Sequence, residues 1–151
     1  RRSEVGQLNV GDVRVDAQGV PFFELTNTKS GLLQRQPMPS WVAEAVAVLV
    51  AQRKSEGAKH DDPLFINYRL RSRKRVTEWL IYRTFKRYCR QLGISAAPHA
   101  ARATAATFLA SEGHNEAKIA QFLRHSDTQQ VATYVKLSQQ LRDNLGAKII
   151  F

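Results

Sequence analysis

Three helix signals in series between residues 98 and 134 constrain this chain more than any other feature. Pro98 suits a helix start and the alanine-rich run at residues 100–110 has high helix propensity, so a first helix opens there and Gly113 closes it. Asn115 caps a second helix through Leu123, and Ser126 with Gln129 has the spacing of a capping box that opens a third.

That layout gathers reactive side chains. His99 and Arg102, at i and i+3, share one face of the first turn. A helix N-terminus presents unpaired N–H groups and the positive end of the dipole to an anion, and Arg102 adds a planar fork matched to phosphate oxygens. His125 sits just before the third helix. Tyr134 follows it about two and a half turns along, so its phenol returns toward the same pocket when the helices pack closely. Two histidines, an arginine and a tyrosine around one anion site read as phosphoryl transfer through a covalent tyrosine intermediate. Singly each has an ordinary explanation: a polar helix start, a surface charge, a capping neighbour, a half-buried core tyrosine. Together they are harder to dismiss.

Charge points to the substrate. The formal net charge is +10, and the stretch from residue 69 to residue 90 holds nine basic residues against one acid, Glu78, so it supplies +8 of it. Such a surplus of one sign repels itself without a polyanion, and nucleic acid is the expected partner. Arg73, Lys74, Arg75, Arg83, Lys86 and Arg87 are the candidate DNA contacts. A chain of 151 residues with 43% hydrophobic content carries one domain by default. No apolar run approaches the roughly 18 residues of a membrane span, and one cysteine, Cys89, excludes an internal disulfide and fits a reducing, cytoplasmic interior. No dense cluster of metal ligands, phosphate-cradling glycine loop or nucleophile elbow appears, so neither metal nor nucleotide cofactor is expected.

The remaining chain reads as scaffold, giving an α+β, mainly α class: a helical domain with a small antiparallel three-stranded sheet near its N-terminus. Ser3 caps a short helix through Leu8, with Arg1 at its entry. Strands follow over residues 13–15, 20–28 and 32–39, joined by a turn at 16–19 and a tight connection at 29–31 that exposes Lys29 at its tip. Ser40 caps a helix over residues 41–57 with Trp41, Ala45, Val48 and Leu49 at helical spacing. His60 is a surface residue in a polar loop, and residues 64–66 form a short buried strand. A helix at residues 76–92 turns Val76, Trp79, Leu80, Tyr88 and Leu92 to the core and Arg83, Lys86, Arg87 and Arg90 to the opposite side. Its aromatic residues, Tyr82 and Phe85 included, are expected to pack rather than stack on bases. The apolar end, Ile149, Ile150 and Phe151, wants burial.

The ordered set His99, Arg102, His125 and Tyr134 resembles the tyrosine recombinase, or phage integrase, family. An HxxR box, a later histidine and a tyrosine nine residues after it are the family's hallmark. Arg1, in an R-x-S-E box, looks like its first arginine, and Lys29 looks like its hairpin lysine before a strand ending in proline. The likeness covers nearly the whole chain. It departs at Arg124, where the family commonly has glycine, and at Ala101 and Ala103, where it has leucine and histidine around the arginine; no catalytic group is lost.

The resemblance implies a single catalytic domain over residues 1–151, a C-terminal fragment of a longer protein, acting as a site-specific recombinase of duplex DNA. Tyr134 would attack a phosphodiester, keeping the 3′ phosphate and releasing the 5′ oxygen. A tyrosine with a reference pKa of about 10 needs help near neutrality. His99 is the expected base or proton relay and Lys29 the acid on the leaving oxygen, each worth roughly 10²–10⁴-fold. Arg1, Arg102 and His125 would stabilise the charged oxygens, either arginine being worth on the order of 10²–10³-fold. The family also implies a homo-oligomer on DNA, a tetramer linked through the apolar tail, in a prokaryotic, nucleoid-associated setting. The rivals are a type IB topoisomerase, which relaxes supercoils without exchanging partners, and a DNA-binding module that has lost catalysis.

Overall fold

The computed structural model describes residues 1–26, 31–124 and 129–143, in two compact units, Arg1–Thr84 and Phe85–Phe151. Both the helical content and the small sheet match the sequence reading.

The first unit opens with helix α1 (Arg2–Gln7). It starts one residue before the expected cap, Ser3, because Glu4 on its first turn accepts a hydrogen bond from the Arg1 main-chain nitrogen at 2.9 Å and makes Arg1 the N-cap. A short 3₁₀ turn leads into β1 (Val13–Val15), β2 (Pro21–Leu25) and β3 (Gln34–Pro37), an antiparallel sheet in that order with Val13 opposite Phe23 and Phe23 opposite Gln36. Asp16 shapes the first turn, its Oδ1 accepting from the N–H groups of Gln18 at 2.9 Å and Val20 at 2.8 Å. Most of the second connection, residues 27–30, lies outside the described residues. Among the described residues the ladder ends at Leu25 opposite Gln34, and Leu32 and Leu33, expected in the third strand, lie outside it and are exposed.

Helix α2 (Ser40–Ser55) takes Ser40 as its first residue, with Pro39 at the N-cap where its ring fixes φ at −59°. Its expected inward stripe is rotated. Trp41 and Val48 are 72% and 71% exposed, whereas Val46 and Arg53 are buried and Leu49 and Val50 pack on the core of Leu8, Leu25 and Leu64. Leu64 and Ile66 are buried as expected and Phe65 is half-buried, but residues 63–66 make isolated bridges, Asn9 with Pro63 and Ile66 with Arg75, rather than a strand. The 8–11 segment runs against 60–64: Val10 N–H donates to the Asp62 carbonyl at 2.9 Å and Gly11 N–H to the His60 carbonyl at 2.8 Å. A Cβ at Gly11 would stand 2.1 Å from the imidazole of His60, so a larger residue there would make this exposed ring turn away.

Helix α3 (Glu78–Gln91) begins two residues later than expected, since Val76 is held extended by donating to the Phe65 carbonyl at 3.1 Å. Its inward face also differs. Trp79, Tyr88 and Leu92 are exposed, while Cys89 is buried and Ile81, Tyr82 and Phe85 are half-buried.

The second unit stacks α4 (Pro98–Ser111), α5 (Glu116–Leu123) and α6 (Gln129–Asp143). Gly113, at φ +86°, follows the end of α4 as expected. Asn115 caps α5, its Oδ1 accepting from Lys118 N–H at 2.9 Å. Ser126 and the apolar tail lie outside the described residues. The core joins Ala106, Ala110, Ile119, Ala120, Leu123 and Val131, with Leu109, Tyr134 and Val135 against it. Three alanines let the helix backbones approach closely, and α4 packs chiefly on α6. No helix among the described residues is long and apolar enough to cross a membrane.

Candidate active site

Pro98 stands at the first position of α4 after an extended Ala97, so the helix starts where its missing N–H costs nothing. His99 is exposed on that first turn and Arg102 half-buried one turn on. Arg102 heads the stripe that continues through Ala106 and Ala110 at spacings of four, the stripe that enters the core. Its Nη2 donates to the carbonyl oxygen of Leu123, the last residue of α5. Carbonyls at a helix C-terminus have no partner within their own helix, and they form the negative end of the dipole, so a guanidinium is the natural cap. One donor of the fork thus orients its plane.

Arg124 then takes the left-handed conformation, φ 53° and ψ 45°, and ends α5. Its place before His125 is where the sequence departs from the family's glycine, and the backbone adopts a glycine-like geometry regardless. His125 itself lies outside the described residues. Tyr134, on α6, is half-buried and packs against the same core that α4 and α5 build, one turn after fully buried Val131 and one before buried Ser138. The second unit therefore gathers on one core the helix bearing His99 and Arg102, the helix end leading to His125, and the ring of Tyr134.

In the first unit Arg1 sits at the entry of α1, as expected. Its Nη1 donates to Glu4 Oε1 at 3.1 Å, and the Glu4 side chain is only 4% exposed. Glu4 holds Arg1 in place, a role missed in the sequence although a glutamate three residues after the N-cap is a recognisable signal. Lys29 lies outside the described residues.

The basic candidates separate by environment. Arg73, Lys74, Arg83 and Arg87 are exposed. Arg83 lies over the ring of Trp79 at 4.6 Å and Arg87 over that of Tyr88 at 5.0 Å, so both aromatics expected in the core are instead covered by cations at the surface. Arg75 turns inward. Its Nη1 donates to the carbonyls of Gly6 at 3.1 Å and Leu8 at 3.0 Å and its Nη2 to Asn9 Oδ1 at 2.6 Å, capping the end of α1 rather than facing a ligand. Lys86 is half-buried and donates to the Ala96 carbonyl at 3.1 Å.

Known proteins resemble the chain in sequence and in fold. The chain is 26% identical over 152 residues to the tyrosine recombinase XerA of Thermococcus kodakarensis, covering 99% of this chain and 51% of that protein, so it spans about half the relative's length. Its fold matches a crystal structure of XerA recombinase with a TM-score of 0.76 at 22% identity, over 97% of this chain and 51% of that one. It matches the XerH site-specific recombinase bound to a palindromic difH substrate, a post-cleavage complex, with a TM-score of 0.77 at 18% identity, over 97% and 41%. The family model for the phage integrase family matches residues 1–140, nearly the whole described chain with both its arginine-bearing segments and Tyr134, and the chain belongs to that family.

Proposed function

We propose that this chain is the catalytic part of a site-specific DNA recombinase that cuts and rejoins duplex DNA through a tyrosine. The observation that carries the reading is Arg102 bound to the carbonyl that closes α5, two residues before His125, with Tyr134 packed on the same core. XerH was solved on its difH substrate, which supports duplex DNA as the substrate class.

The Tyr134 phenolate oxygen attacks the phosphorus, forming a 3′-phosphotyrosine bond as the bond from phosphorus to the 5′ oxygen breaks. His99 takes the phenol proton and Lys29 delivers one to the departing oxygen. Arg1, Arg102 and His125 bear on the non-bridging oxygens, where negative charge grows in the transition state. The phosphotyrosine conserves the energy of the broken bond, so a 5′ hydroxyl from another strand reverses the step without a nucleotide. Exchange between two sites then calls for several protomers on the DNA, a tetramer in the simplest case.

A nicked suicide duplex tests this. The wild-type protein is expected to form a covalent protein–DNA adduct, and Tyr134→Phe, which keeps the ring and its packing, to form none while still binding the duplex. Adducts at wild-type yield from Tyr134→Phe overturn the assignment. Partner exchange between two marked duplexes, rather than relaxation of one supercoiled plasmid, is the expected product.

A further inference from the structure

Residues 67–74 form a closed loop on the first unit. Ile66 bridges to Arg75 at its base, Asn67 N–H donates to the Lys74 carbonyl at 2.8 Å, Leu70 N–H to the Asn67 carbonyl at 3.1 Å, and Arg73 N–H to the Leu70 carbonyl at 2.9 Å. Asn67 Oδ1 also accepts from Arg69 N–H at 3.1 Å. The loop carries Arg69, Arg71, Arg73 and Lys74 with no carboxylate, and all four are exposed. Like charges this dense oppose an ordered loop, so something must hold it.

The holding group is Glu56, the C-cap of α2. Glu56 accepts from Tyr68 Oη at 3.1 and 3.2 Å, from Gln52 Nε2 at 3.1 Å and from Arg53 Nη1 at 2.7 Å, and lies 3.4 Å from Arg73 Nη1. Gln52 also donates to Tyr68 Oη at 3.1 Å, and the Arg73 guanidinium stands 5.8 Å from the centre of the Tyr68 ring. Arg53, itself buried, already balances the Glu56 charge. Among the described residues Arg69, Arg71 and Lys74 have no ion-pair partner, and they form a braced, single-sign patch.

We propose that this loop is a DNA-backbone contact made by residues other than the catalytic groups, and that Glu56 and Tyr68 are positioning residues that keep its cations in binding order. The proposal rests on the recombinase reading only for the identity of the polyanion. It reverses the usual sign. Removing a carboxylate next to a DNA-binding surface should strengthen binding by simple Coulomb attraction, whereas loss of the Glu56 brace weakens it.

The test is the affinity of the full-length protein for a short labelled duplex across a salt series, with thermal melting of each variant alongside. Arg69→Gln combined with Arg71→Gln, both at exposed positions, is expected to weaken binding and flatten the salt slope by about 0.9 per charge removed. Tyr68→Phe, which changes no charge, and Glu56→Gln are each expected to weaken binding several-fold. Wild-type affinity and slope in the double arginine variant overturn the loop as a contact, and unchanged or tighter binding by Glu56→Gln and Tyr68→Phe overturns the brace. Adduct formation on the suicide duplex is scored in the same preparation. Adducts without any loop effect reject the loop and leave the recombinase reading standing; a loop effect without adducts supports the loop contact and rejects that reading.

Discussion

Arg102 shows how one guanidinium serves structure and chemistry together. Its bond to the Leu123 carbonyl closes α5 and sets the plane of a fork whose phosphate role is the proposal above. Lysine at this position would keep the charge and lose the plane. Glu56 makes the same point for a carboxylate. Desolvation pulls its pKa up, but hydrogen bonds from Gln52, Arg53 and Tyr68 and the charge of Arg73 outweigh it and hold the carboxyl below its ordinary value. The folded value lies below the unfolded one, so Glu56 contributes stability that is present above an unfolded pKa of about 4.3 and is lost as pH falls through the lower folded value. Glu56→Gln is therefore expected to lower the urea midpoint at neutral pH, with the gap to wild type closing as the solution is acidified below that range. A gap independent of pH would place the effect in packing rather than charge.

At the scale of the element, α5 is the instructive case. A helix of 8 residues does not persist alone, so Glu116–Leu123 depends on its cap at one end, the Arg102 bond at the other and the buried Ile119, Ala120 and Leu123 between. Asn115→Ala removes the acceptor for Lys118 N–H and is expected to cost about 1 kcal/mol, while Asn115→Asp, which keeps an acceptor, should cost little; thermal unfolding separates them. If α5 positions the segment of His125, the alanine variant also lowers adduct rate more than duplex affinity. Helix α2 behaves differently. Trp41, Val42, Val46, Val48, Leu49 and Val50 make it apolar on nearly every side, so helical spacing alone selects no inward face, and the rotation found in the fold follows from contact with Leu8, Leu25 and Leu64.

For the molecule as a whole, the +10 charge and its concentration in residues 69–90 predict steep loss of DNA affinity with salt. The cations there are not equivalent. Arg83 and Arg87 stand exposed over Trp79 and Tyr88, whereas Arg75 caps α1 and Lys86 is tied to the Ala96 carbonyl. Neutralising Arg83 and Arg87 is expected to flatten the salt slope by about 0.9 each. Arg75→Met should instead leave the slope near wild type and reduce stability, because it removes the hydrogen bonds to two carbonyls and an amide oxygen. Equal slope changes from all four positions would show that this division by environment does not govern binding.

Residue order by itself determined the boundaries of α4 and α5, the three-stranded sheet and the order of the candidate groups. These depend on short-range causes: a proline at the first helical position, an asparagine cap, a glycine at positive φ, an aspartate that turns the chain. Tertiary structure alone decided which face of α2 and α3 turns inward, that Arg75 is a cap, that Glu56 braces the loop at 67–74, and that Arg102 closes α5. In each of these the partner lies across a packed surface, and in all but the short Glu56 contacts it lies far along the chain. Hydrophobic periodicity says that a face will be buried, and only the neighbouring elements say against what.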